Sequence, residues 1–189
     1  MRISRGWRGD LAAVFAGAVA PLAFSPVDWW PVSILACALL FALWLFSSPT
    51  RSLWRGFFFG LGFFGVGISW VFVSIHYHGH VGLALSLFLT VLLIMVMALF
   101  PMLLGYLLGR YFPSGFEAST TRYKLLLVFP SAWLLMEWLR GWFMTGFPWL
   151  SLGYSQTDSP LAGLSPLIGV FGVSWAVAFS AALLVGLLF

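Results

Sequence analysis

Two ionisable residues stand in one apolar segment, Glu137 and Arg140 of "SAWLLMEWLRGWFMTGFPW". Their spacing of three places them on neighbouring parts of one helix face. Because a charge at the bilayer centre costs about 2.5–3.5 kcal/mol, such residues pair or face water or protein. One interpretation is an intrahelical ion pair that holds the helix and its loop. The other is that Arg140 meets an anionic headgroup or a docked domain, with Glu137 orienting it.

Three histidines, His76, His78 and His80, alternate in "SIHYHGH". An extended segment would direct all three the same way, and imidazoles at this spacing can chelate a metal. No carboxylate or cysteine is close in sequence, so we favour polar residues of an interfacial loop over a metal site. Contact with lipid phosphate is a third possibility.

Nucleophilic chemistry has little support in this sequence. Cys37 lies in "SILACALLFALWLF", which suits a small core side chain, and a single cysteine excludes a disulfide framework. We find no Ser/His/Asp order, phosphate-cradling glycine loop or metalloprotease helix. We therefore predict no catalytic residue, no metal and no cofactor in this chain.

A polar and aromatic segment, "TGFPWLSLGYSQTDSPL", interrupts two apolar runs at Thr145–Leu161. Polar backbone at membrane depth is tolerated only against protein or water, so this segment should pack on helices or line a cavity. Its aromatic residues suit an interfacial belt or an acyl-chain groove. The candidates for lipid contact or domain docking are Glu137, Arg140, Trp142, Phe147, Trp149, Tyr154, Gln156 and His76.

The composition is that of an integral membrane protein. Of 189 residues, 62% are hydrophobic and 7% are charged, whereas a soluble domain carries about 25% charged residues. The few basic residues lie between apolar runs, as in membrane-protein loops, so nucleic-acid binding is not expected. The N-terminus imitates a secretory signal, but Pro21 after the small-x-small triplet favours a retained first helix.

Apolar runs long enough for helical spans predict an all-α, polytopic transmembrane bundle. Glycines in the third run should allow close helix approach. The fourth is long enough to need tilting, a kink at Pro101 or protrusion. The six predicted spans cover about residues 11–26, 31–48, 56–75, 81–111, 124–143 and 164–189.

Basic residues predict the orientation. If every run crosses once, all nine except Arg140 fall on one side: Arg2, Arg5, Arg8, Arg51, Arg55, Arg110, Arg122 and Lys124. By the positive-inside rule this side and the N-terminus are cytoplasmic, and Thr145–Leu161 is outside. The last run is still apolar at Phe189, so we expect the chain to be incomplete as a functional unit.

Three blocks of sequence resemble a known family. They are "LAFSPVDWWP", "GFFFGLGFFGVGISWVFVSIHYHG" and "LRGWFMTGFPWLSLGYSQTDSPLAGLSPLIGVFGVSW". Together they resemble the membrane part of apolipoprotein N-acyltransferases, bacterial enzymes that add the third acyl chain to lipoproteins. The "RGW…TGFPWL…GYSQ" signature is the most specific feature.

The resemblance implies a two-part inner-membrane enzyme: a bundle of about eight helices and a periplasmic nitrilase-like domain. The family's catalytic Glu, Lys and Cys belong to that domain, which follows the point where this chain ends, and Cys37 does not match the nucleophile. The Cys takes an acyl chain from phospholipid as a thioester and passes it to the α-amine of the diacylglyceryl-Cys of an apolipoprotein. The histidine-rich "HYHGH" departs from the family, which leaves a shared role for His78 and His80 in doubt.

By itself the chain would then be inactive, with Thr145–Leu161 as a periplasmic platform beneath the nitrilase-like domain. Two alternatives remain open. A small transporter or channel would show pseudo-symmetric halves and midplane charges, and we find no convincing internal repeat. A non-catalytic membrane scaffold would bind a partner through its outer surface.

Overall fold

A computed structural model describes residues 6–112 and 118–188, and every regular element within them is helical. The predicted all-α class is therefore confirmed. The α-helices are α1 (Trp7–Val19), α2 (Pro31–Leu45), α3 (Pro49–Gly67), α4 (Trp70–Val73), α5 (Leu83–Tyr111), α6 (Ala118–Tyr123), α7 (Phe129–Arg140) and α8 (Ser165–Leu188).

Shorter helical turns connect these elements. One π-helical turn, Ser74–His78, extends α4, and another, Lys124–Val128, joins α6 to α7. The 3₁₀ turns are Ala20–Ala23, Phe143–Thr145, Leu152–Gln156 and Pro160–Leu164. Prolines begin α2 and α3, because the first helical position does not need a backbone N–H donor.

Within the described residues, two helices are long and apolar enough to cross a membrane, Leu83–Tyr111 and Pro160–Leu188. A third crossing is possible if Pro49–Gly67 and Trp70–His78, which meet at a bend of 48°, form one span. The helix Pro31–Leu45 is apolar but shorter. The number of six spans stays a prediction.

Close packing around α3 is made possible by glycine. A Cβ atom built on Gly56 would lie 2.1 Å from the carbonyl oxygen of Pro101 in α5, and one on Gly62 would lie 2.4 Å from that of Val14 in α1. Helix α3 is thus in backbone contact with a neighbour on each side. Since lipid provides no hydrophobic force between helices, such contact is a main source of their association.

An aromatic cluster fills the centre of the bundle and joins α2, α3 and α7. The ring of Phe41 lies 5.1 Å from Phe129 and 6.1 Å from Trp133, measured between centroids, and Phe59 lies 6.1 Å from Trp133. Cys37 is buried at 1% exposure, as expected for a small core side chain.

Arg55 corrects one assignment from the sequence. It was grouped with loop cations, but α3 begins at Pro49 and the side chain of Arg55 is fully buried. Its guanidinium donates to the carbonyl of Leu43 at 3.0 Å and to the hydroxyl of Ser47, and lies 3.5 Å from the Asp10 carboxylate. The cation therefore links α1, α2 and α3 instead of marking a loop.

Candidate functional site

Arg140, the last residue of α7, holds the chain that follows it. Its side chain is 1% exposed, and Nη1 donates to the carbonyls of Phe147 at 2.6 Å and Trp149 at 2.5 Å. Nη2 lies 3.3 Å from the hydroxyl of Ser151. A planar guanidinium can satisfy several acceptors at once, which a lysine ammonium cannot do in the same geometry. The charge of Arg140 is therefore directed into the loop.

Glu137, one turn earlier on α7, binds the same loop as a hydrogen-bond acceptor, whereas Arg140 is a donor. Its Oε1 accepts hydrogen bonds from the backbone N–H of Leu152 and from Nε1 of Trp133, both at 2.9 Å. The carboxylate is 1% exposed. In the part of the chain that the structure describes, Glu137 and Arg140 form no direct salt bridge with each other. The direct intrahelical ion pair considered from the sequence is not formed.

The far part of the loop is attached to two further helices. The N–H of Gly153 donates to the hydroxyl of Ser174 in α8 at 2.8 Å. In α2, the hydroxyl of Ser33 accepts from Nε2 of Gln156 at 2.9 Å and from Ser155 at 3.0 Å. We call residues 147–156 the clamped segment, because side chains of α2, α7 and α8 all bind it.

Aromatic side chains cover the clamped segment. Phe147 stacks on Trp149 with centroids 5.5 Å apart, and Trp149 contacts Trp70 at 5.7 Å. Trp149 and Tyr154 are 50% and 54% exposed, and nearby in sequence Trp142 is 55% exposed. The segment thus has a buried polar side fixed to the helices and an exposed aromatic side.

His76 lies apart from the clamped segment and is bound within its own turn. Its Nδ1 is 2.8 Å from the carbonyl oxygen of Val81, and its ring stacks on Phe72 at 5.3 Å. His78 and His80 are exposed. Among the described residues no group of three side chains is arranged to hold a metal ion. The contacts of His76 stabilise the turn before α5.

The predicted candidates therefore separate into four groups. Glu137, Arg140, Phe147 and Trp149 come together at the end of α7. Gln156 lies in a second polar contact with α2 and is fully buried. Trp142 and Tyr154 present exposed rings, and His76 belongs to another turn.

Sequence reasoning missed the partners that complete the site. They are buried hydroxyl or indole groups: Ser33, Trp133 and Ser174 on the helices, and Ser151 and Ser155 in the clamped segment itself. A signal was present, because a serine inside an apolar helix needs a hydrogen-bond partner. Only the fold shows which partner each one binds.

The resulting arrangement can position groups but does not by itself transfer any. One atom of each ionisable side chain binds loop backbone, Oε1 of Glu137 and Nη1 of Arg140. The exposed rings offer apolar faces with a polar edge. Such a surface suits a lipid interface or the underside of another domain.

Comparison with known proteins identifies the family. The sequence model of the apolipoprotein N-acyltransferase N-terminal domain matches residues 16–183, which include nearly all of the helices and the whole clamped segment. The chain belongs to this family. The resemblance seen in the three sequence blocks is thereby confirmed.

Whole proteins of the apolipoprotein N-acyltransferase family show the same relationship. The chain is 47% identical over 170 residues to the apolipoprotein N-acyltransferase of Coxiella burnetii, an alignment that covers 90% of this chain and 34% of the relative. It is 45% identical over 176 residues to that of Methylococcus capsulatus, covering 92% and 34%. It is 46% identical over 182 residues to the apolipoprotein N-acyltransferase of Azotobacter vinelandii, an alignment that covers 96% of this chain and 34% of the relative. The chain thus spans about a third of the length of these curated relatives.

Proposed function

We propose that this chain is the membrane domain of an enzyme that transfers an acyl chain from phospholipid to the N-terminal diacylglyceryl-Cys of apolipoproteins. The observation that carries the proposal is the family match over residues 16–183, together with identities of 45–47% to proteins named for this activity. The chemical step would belong to a nitrilase-like domain, whose Glu, Lys and Cys have no counterparts here. The chain alone is then inactive.

The proposed topology has six spans in a bacterial inner membrane, with a cytoplasmic N-terminus and Thr145–Leu161 in the periplasm. The distribution of Arg and Lys supports it, since eight of these nine residues fall on one side if each predicted span crosses once, and only Arg140 falls on the other. Arg55 no longer contributes, because it is buried within α3. Arg51, Arg110 and Arg122 still place positive charge on the side predicted to be cytoplasmic.

The role proposed for the clamped segment is a rigid platform between lipid and the catalytic domain. Its polar side is fixed by Glu137, Arg140 and Ser33, so its exposed rings keep one orientation. Precise placement of a reacting group contributes much of an enzyme's rate, and a misplacement of about 1 Å can lower the rate about 100-fold. We propose that the platform positions the active-site mouth at the outer leaflet.

A chimaera tests this function. Residues 16–183 replace the corresponding membrane domain of the Methylococcus capsulatus relative, in a bacterium depleted of its own apolipoprotein N-acyltransferase. We expect the N-terminal lipopeptides of its lipoproteins to carry a third acyl chain, by mass spectrometry. The 189-residue chain alone should leave them diacylated. A chimaera that inserts and folds, yet leaves lipoproteins diacylated, would contradict the proposal.

A further inference from the structure

A second feature lies on the side of α5 that faces α7. A groove begins beyond the end of α7, where the ring of Phe143 in the following 3₁₀ turn is in edge contact with Phe100 of α5, with centroids 6.1 Å apart. From there the groove, of about 760 Å³, follows both helices to Tyr111 and Phe112 at the end of α5. Its lining side chains are aliphatic or aromatic, apart from the thioether of Met136.

The groove is long enough to hold an acyl chain. Its lining on α5 runs from Val96 to Tyr111, which is about 22 Å of helix at a rise of about 1.5 Å per residue. One leaflet of a bilayer's hydrocarbon core is about 15 Å thick. Leu103 and Leu135, which line the groove, are 54% and 59% exposed, so the groove opens sideways.

A positive charge stands at one mouth of this groove. Arg110 is the basic residue in the last turn of α5 and is exposed. Its guanidinium carbon lies 5.7 Å from the centroid of Tyr111, whose ring lines the groove. The opposite mouth ends at the apolar ring of Phe143. An apolar channel with a cation at one end is complementary to an amphiphile with an anionic head.

We propose that the groove between α5 and α7 binds an acyl chain of one anionic phospholipid, with its phosphate held by Arg110. This mouth lies at the end of α5 away from the contact between Phe100 and Phe143, about 16 Å along the helix. Basic pockets between transmembrane helices are known to select anionic headgroups. The inference goes beyond acyl transfer, because it requires only that α5 and α7 lie in lipid.

Two pairs of variants test it. Arg110→Ala removes the headgroup contact, and Arg8→Ala is its match, since Arg8 also lies over a neighbouring ring, 5.8 Å from the centroid of Trp7, but lines no part of this groove. Leu103→Trp fills the groove. Leu187→Trp adds the same ring to an 83% exposed position on α8.

The 189-residue chain is equilibrated in detergent with phosphatidylglycerol and phosphatidylethanolamine of identical acyl chains, and bound lipid is counted by native mass spectrometry. We expect a preference for phosphatidylglycerol that falls about fivefold in Arg110→Ala and is unchanged in Arg8→Ala. Leu103→Trp should lose both lipids, whereas Leu187→Trp should retain them. Circular dichroism and thermal unfolding check that each variant is folded.

The proposal is overturned if Arg110→Ala and Arg8→Ala bind the two lipids alike, or if folded Leu103→Trp retains lipid as Leu187→Trp does. A dimer that Leu103→Trp dissociates would show that a second copy of the chain occupies the groove, which also overturns it. If Leu103→Trp does not fold, the pair of arginine variants decides the outcome.

Discussion

Glu137 and Arg140 lie one turn apart on α7 and bind the same loop through opposite chemistry. The carboxylate accepts the N–H of Leu152, and the guanidinium donates to the carbonyls of Phe147 and Trp149. The two buried side chains thus bind backbone groups of a segment whose only regular element in the structure is the 3₁₀ turn Leu152–Gln156. An acceptor and a donor on one helix fix both the position and the direction of the clamped segment.

Substitution of Glu137 should depend on whether an acceptor is kept. Glu137→Gln retains a side-chain oxygen for Leu152 and Trp133, whereas Glu137→Leu leaves two buried N–H donors without a partner, at about 1–3 kcal/mol each. We expect Glu137→Leu to be the less stable variant by at least about 1 kcal/mol. Thermal unfolding in detergent measures this difference, and equal stability of the two variants would refute the acceptor role.

The contact between the clamped segment and α2 can be tested at Ser33. Ser33→Ala removes the acceptor used by Ser155 and Gln156, so Leu152–Gln156 should exchange amide hydrogens about tenfold faster. Ser165→Ala is the control, because the Ser165 hydroxyl is exposed and bonds only to Ala162 in its own turn. Hydrogen exchange with mass spectrometry measures the exchange rate of this segment in both variants. Identical protection in the two variants would show that Ser33 does not hold the segment.

Glycine packing around α3 predicts a sharp contrast between two positions of that helix. Gly56→Ala would place its Cβ 2.1 Å from the Pro101 carbonyl oxygen, so α3 and α5 must separate. Such overpacking lowers stability by about 1–3 kcal/mol. Gly65→Ala meets no atom within 4 Å and should be neutral or slightly stabilising. Unfolding curves that are superimposable for both variants would contradict the packing described.

The topology predicts which face of the membrane each end of the bundle reaches. Asp158 and Arg8 are both exposed, and the native Cys37 is buried, so it should not react with thiol reagents. In intact spheroplasts, an impermeant maleimide should label Asp158→Cys and should label Arg8→Cys only after permeabilisation. Labelling of Arg8→Cys in intact spheroplasts, with Asp158→Cys labelled only after permeabilisation, would show the opposite orientation.

Much of this architecture follows from the sequence because its cause is local. The helical class and the turns follow from apolar runs separated by Pro, Gly and Asp. Glycines such as Gly56 and Gly62 predict close helix packing in lipid, and the structure has it. The Thr145–Leu161 segment was predicted to pack on helices, and its hydrogen bonds to α2, α7 and α8 agree with that.

The partners of buried polar groups could not be predicted, because they are set by long-range contacts. A spacing of three between Glu137 and Arg140 fits an ion pair as well as two separate bonds to a loop. Gln156 binds Ser33, which is 123 residues away in the chain. Arg55 looked like a loop cation because the sequence does not show that Leu43, Ser47 and Asp10 surround it.

Acyl transfer by an Arg140 variant tests the central claim most directly. In the chimaera, Arg140→Ala should insert and fold but lower the rate of third-chain addition at least about tenfold, since the carbonyls of Phe147 and Trp149 lose their donor and the platform shifts. Arg122→Ala, which removes an exposed cation of α6 within the exchanged residues, should transfer at the parent rate. Transfer at the parent rate by correctly inserted Arg140→Ala would contradict the claim that the clamped segment positions the reaction.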